Sequence, residues 1–155
     1  PAAMAELRLE PVTWPTYQGD HPLDLDFGHV IKLIGYELSP ESETGRLDVT
    51  LYWQAVASPG EAYTAFLHVI DSKGELVAQS DVIPGQGLFP TSAWQTGDVV
   101  LSRHLVDLNT DLPAGDYRLV AGLYHAFEGT RLPVFETGGE ATPDDTALIG
   151  RIALP

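Results

Sequence analysis

The sequence predicts an all-β domain: an immunoglobulin- or fibronectin III-like Greek-key β-sandwich of about seven strands. Three observations carry this. Apolar residues alternate with polar ones in short runs, and no window keeps an apolar stripe at helical spacing for three turns. Clusters of Gly, Pro, Ser and Asp separate the runs. The turn Asp111-Leu112-Pro113-Ala114-Gly115 leads almost directly into Tyr117, a pattern of the tyrosine corner in Greek-key sandwiches.

Residues 1–23 hold Pro1, Pro11, Pro15 and Pro22. Each removes a ladder donor and biases its predecessor toward extended backbone, so the segment is expected to be a proline-rich linker or an edge strand through Leu7, Leu9 and Val12. The sandwich is expected over 24–155. Its first strand is placed near 27–38, ending at the Ser39-Pro40 to Gly45 turn. The second, near 46–55, alternates cleanly: Leu47, Val49, Leu51 and Trp53 on a core face, Asp48, Thr50, Tyr52 and Gln54 on a wet one. The third, near 62–71, is apolar on both faces, as befits a central strand. Asp71-Ser72-Lys73-Gly74 turns the chain into a strand near 75–80. Residues 81–97 carry no strand pattern and open with Pro84, Gly85 and Gly87. Strands near 98–107, 116–126 and 146–153 complete the set.

With 155 residues the chain is long enough to bury a core without staples, and it has no cysteine to make any. Eight basic residues against 22 acidic ones give a net charge of -14, which repels phosphate backbones and anionic lipid, so nucleic acid is excluded as a partner. No apolar run approaches the roughly 18 to 20 residues of a membrane span, so no direct membrane insertion is expected of this segment. The chain opens on Pro1 and carries its only methionine at position 4, which reads as an excised segment whose targeting signals lie elsewhere.

Several segments together resemble the soluble β-sandwich accessory domain of bacterial multi-pass membrane glycosyltransferase-like proteins. They are Leu51-Tyr52-Trp53-Gln54-Ala55, Tyr63 to His68, Val77 to Asp81, Phe89-Pro90-Thr91 with Trp94 and Gly97, Gly115 to Leu119, Gly122-Leu123-Tyr124 and Arg131-Leu132-Pro133. The resemblance implies an extracytoplasmic, cell-envelope location and a partner in the rest of a parent membrane protein. The catalytic acids of such enzymes sit near membrane helices, so it carries no catalytic residue onto this chain.

Four constellations bear on chemistry. Asp107, Asn109 and Asp111 place oxygen ligands at alternating positions, as the first half of a calcium loop does. Leu112 then stands where the turn glycine belongs and no glutamate closes the loop, and the plainer reading is that these residues shape the turn before Pro113. His29, His68, His104 and His125 fall in strands, where convergence of three would hold zinc and separation would leave ordinary half-buried histidines. Acid pairs such as Asp24/Asp26 and Asp144/Asp145 are expected by chance among so many acids. No nucleophile elbow, phosphate loop or metalloprotease helix is present, and nothing calls for a cofactor. Tyr52 with Gln54, and Phe89 with Trp94, are candidates for stacking on a sugar, the alternative being that Trp94 plugs the end of the sandwich. Two residues are assigned structural roles: Tyr117, through its hydroxyl, and Asp81, as a strand-end carboxylate accepting backbone N–H groups of the following loop. The sequence thus supports a non-catalytic module, structural or accessory to a membrane glycosyltransferase, with carbohydrate binding as the alternative.

Overall fold

The computed structural model describes residues 17–41, 45–108 and 111–155. Within them the chain forms β1 (His21–Phe27), β2 (Ile31–Glu41), β3 (Arg46–Ala55), β4 (Tyr63–Ile70), β5 (Leu76–Val82), β6 (Val99–Asp107), β7 (Gly115–His125), β8 (Val134–Phe135) and β9 (Ala147–Leu154). Two antiparallel sheets result, ordered β6-β3-β2-β1-β8 and β5-β4-β7-β9. The β4–β5 hairpin lies in the second sheet, after which β6 returns to the first and pairs with β3.

Period-2 alternation decides which side of each sheet is inside. In β3 the buried residues are Leu47, Val49, Leu51, Trp53 and Ala55, and the residues between them are partly exposed. β4 lies between β5 and β7 and is buried on both faces, with Ala65, Leu67 and Val69 turned to the core and Phe66 covered on the outside at 1% exposure. Phe27 meets Trp53 edge-on, ring centroids 5.1 Å apart, at the centre of the core. Each large apolar side chain buried in this way contributes about 1.5 to 3 kcal/mol before entropy is counted.

The start of the sandwich differs from the sequence expectation. In place of one strand over 27–38 there are two, β1 and β2, folded back on each other at Gly28 and His29. Both take positive φ, 60° and 62°, and Val30 N–H bonds Phe27 O across the turn. Two left-handed residues in a row are the mark of the tight turn that matches strand twist. Leu23, Leu25 and Phe27 alternate with Asp24 and Asp26, a strand signal that Pro22 obscures. Pro22 is tolerated because β8 pairs only with Asp26 and Phe27, which leaves the Pro22 end of β1 on a sheet edge. The sandwich therefore reaches back past the expected boundary at 24. The expected edge strand at Leu7, Leu9 and Val12 lies outside the described residues.

The loop after β5 is tied down at several points. Gly85, Gln86 and Gly87 all take positive φ, and Gln86 Oε1 accepts Arg103 N–H at 3.1 Å. Buried Thr91 links this loop to the start of β4: its Oγ1 accepts Tyr63 N–H at 2.8 Å and donates to Glu61 O at 2.6 Å.

Candidate functional site

On the outer face of the first sheet, Tyr52 of β3 lines a hollow of about 450 Å3 with Tyr17, Ile34, Glu37 and Leu101. The register of β2 against β3 slips between Leu33 and Gly35, and Tyr17 fills the space over Gly35, where a Cβ would stand 2.4 Å from its ring. The Tyr17 hydroxyl, with one proton to give, lies 2.5 Å from Tyr36 O and 2.6 Å from Glu37 Oε1, and accepts His21 N–H at 3.3 Å. Burial, and then the hydrogen bond to Glu37, push its pKa up to about 12, so it remains a donor. Its ring meets Tyr52 edge-on at 5.0 Å. One flank of Tyr52 is thereby occupied by the segment that precedes β1. Gln54 lies on the same face of β3 but does not line this hollow.

Trp94 is 2% exposed and its indole N–H donates to Phe89 O at 2.9 Å. Phe89 is 37% exposed, its ring 6.5 Å from the indole. Neither lines the Tyr52 hollow, so the two pairs of candidate aromatics stay apart.

Asp107 Oδ1 accepts Arg46 Nε at 2.9 Å across the β3–β6 ladder, Asp111 is exposed, and Asn109 lies outside the described residues. No three His, Cys, Asp or Glu among the described residues are placed to hold a metal ion. The histidines are dispersed. His29 is in the β1–β2 turn, bonded to Asp26 at 2.8 Å and stacked on Phe135. His125 lies 3.7 Å from Glu61. His68 sits on the outer face of β4 beside Phe66, its pKa lowered by burial and by Arg131.

His104 is fully buried. Trp53 Nε1 donates to Ser102 Oγ at 2.9 Å, Ser102 Oγ lies 2.8 Å from His104 Nε2, and His104 Nδ1 lies 3.2 Å from Ser80 O. One arrangement satisfies every group: Ser102 donates to Nε2, and Nδ1–H donates to the Ser80 carbonyl. Burial drives the His104 pKa down to about 4, which keeps the ring neutral. This chain of bonds is enclosed and serves the fold.

Tyr117 is 3% exposed and its hydroxyl donates to Pro113 O at 2.6 Å, closing the turn before β7. Asp81 differs from expectation. It lies within β5, and among the described residues its carboxylate takes the hydroxyl of Tyr124 at 2.8 Å and no backbone N–H. The outer face of the second sheet explains the change: the Phe66↔Asp81 and Phe66↔Gly122 pairings put Asp81, Phe66 and Tyr124 on one surface. The loop that follows is fixed by Thr91 and Gln86.

No family model matches this chain, and no curated protein does. Two solved structures are similar in fold. The C-terminal domain of Wzt aligns over 90% of this chain and 88% of its own, at 15% identity and a TM-score of 0.49. Chicken MD-1 complexed with lipid IVa aligns over 79% of this chain and 94% of its own, at 16% identity and a TM-score of 0.36. Likeness at this level assigns neither ligand nor role.

Strand alternation in the sequence points to Tyr52 on the outer face of the first sheet and leaves the outer face of the second unmarked. The signal was available in part: Phe66, His68 and Ile70 share one side of β4, and a strand apolar on both sides needs something over its outer face. That Arg131, from the loop after β7, supplies part of the cover is not readable from strand periodicity. Its guanidinium lies 4.8 Å over the Phe66 ring.

Proposed function

We propose that this domain is a non-catalytic module of a larger cell-envelope protein, acting outside the cytoplasm beside a membrane glycosyltransferase. The observation that carries this is the employment of its polar and aromatic side chains. The fully buried histidine is held neutral between two serines, Trp94 is buried with its indole N–H on Phe89 O, and the candidate calcium ligand Asp107 holds Arg46. Among the described residues Ser102, beside His104, is fully buried and out of a substrate's reach, and Glu136 and Asp144 stand exposed on the surface, so the accessible arrangements that general acid–base or nucleophilic catalysis demands are not seen there. No described helix is long and apolar enough to cross a membrane.

The test has two arms. The isolated domain, offered glycosidic and acyl ester substrates, is expected to give no turnover. Deletion of the domain from its parent chain is expected to reduce transfer without abolishing it. Turnover by the isolated domain, or a coding region around it without membrane spans, refutes the reading.

A second reading, glycan binding at Tyr52, rests on the open hollow beside that ring. Its check is a glycan array with wild type beside Tyr52→Ala. Binding lost in the folded variant establishes it, and undiminished binding or none removes it.

A further inference from the structure

We propose that the hollow on the outer face of the second sheet is a binding site for a neutral sugar residue of a glycan. The inference goes beyond an accessory role, since a module that bound nothing here would still be accessory.

The hollow measures about 560 Å3, within the range of small-molecule sites, about 300 to 1,000 Å3. Its floor is formed by Ile70 and His68 of β4, Val120 of β7 and Leu148 of β9, apolar except for the imidazole. Around that floor stand two guanidinium groups, Arg118 and Arg131, and three carboxylates, Glu136, Asp144 and Asp145. Among the described residues none of these five is in an ion pair. Arg118 even stands directly opposite Arg151 across the β7–β9 ladder, where like charges destabilise a sheet. Three of the eight basic residues of a strongly acidic chain thus lie on one surface, and among the described residues none of the three is in an ion pair.

The rim is built, and built under strain. Gly122 has no Cβ where one would meet the Phe66 ring at 2.1 Å, so the ring lies flat on the sheet. Arg131 rests on that ring and donates from Nη1 to Asp144 O at 3.0 Å. The turn so held puts Asp144 and Asp145 in the left-handed region, φ 60° and 53°, an unfavourable backbone for two non-glycine residues in succession. Thr142, on the same rim, has a buried Oγ1 with no hydrogen-bond partner.

The chemistry of the lining selects the ligand. Phosphate would face three carboxylates, a metal cation would face two guanidinium groups, and an acyl chain would strip water from all five charges without replacing it. A neutral pyranose satisfies each part. Its vicinal hydroxyls donate to carboxylates and accept from guanidinium, and its C–H face lies on the apolar floor.

The experiment titrates the labelled domain with disaccharides of glucose, galactose, mannose and rhamnose, with a galacturonate disaccharide and inorganic phosphate alongside, following backbone amide signals. At least one neutral disaccharide is expected to move the signals of Arg118, Val120 and Leu148. Its affinity should fall about ten-fold or more in Arg118→Ala and in Glu136→Gln, the loss of one charged hydrogen bond. Leu105→Ala, an exposed residue of β6 on the other sheet, should change nothing, and the melting temperature of each variant is read as a control. The proposal is overturned if no neutral sugar moves these signals at tens of millimolar, if only galacturonate or phosphate does, or if Tyr52→Ala alone removes binding.

Discussion

His104 of β6 sets its Nδ1 3.2 Å from the carbonyl of Ser80 on β5, and so ties the edge strand of one sheet to the edge strand of the other. The Nδ1–H donor is present in either protonation state, and the bond that needs a neutral ring is the other one, in which Nε2 accepts from Ser102.

Stability should fall as the pH is lowered from 6.5 toward 4. The folded pKa of His104, about 4, lies below its ordinary 6.5, so the unfolded chain takes the proton first across that window. The contribution is complete above pH 6.5 and amounts to at most about 3 kcal/mol. His68, also lowered by burial, acts in the same direction. Urea unfolding at pH 7.5 and pH 4.5 measures the loss, and His104→Gln should shrink the difference between the two. An unchanged difference would assign the acid sensitivity elsewhere.

Tyr117→Phe should cost about 1 kcal/mol or more, because it leaves the Pro113 carbonyl without its partner while the ring still fills its place. Denaturant midpoints of the two proteins give the value directly. Equal stability would mean that water replaces the hydroxyl without loss.

Gly122→Ala should destabilise the domain by roughly 1 to 3 kcal/mol, the usual range for overpacking, since its Cβ would meet Phe66 at 2.1 Å. Phe66→Leu in the same chain should recover part of the loss by removing the obstructing ring atoms. A double-variant cycle tests this, and additive effects would show that the two side chains do not meet.

Millimolar calcium should leave the melting temperature close to that in a chelator, because Asp107 is engaged with Arg46. A ligand bound only by the native state would raise it by mass action. A rise of several degrees that vanishes in Asp107→Ala would establish a calcium site in this turn.

Much of the fold was legible because strand alternation is local. Leu47 to Ala55 states its buried face residue by residue, and the glycine- and proline-rich turns state where strands stop. Where the local signal was interrupted, the reading failed: Pro22 hid β1, and the two residues of β8 are too few to carry a period. The site residues were less legible still. Asp81 reads as a strand-end carboxylate until β7 brings Tyr124 beside it, and Tyr52 reads as an open ring until Tyr17 packs on its flank.

The sequence by itself determined that this chain is all-β, which faces of β3 and β4 are buried, and that the turn before Tyr117 closes on itself, because each depends on residues a few positions apart. The tertiary structure alone decided that His104 bridges two sheets to Ser80, 24 positions away, and that Arg131 comes to rest on Phe66 beside Arg118. Those placements follow from which strands pair and in what register. Pairing between distant strands is fixed by the summed burial of the whole core, which no local stretch of residues contains.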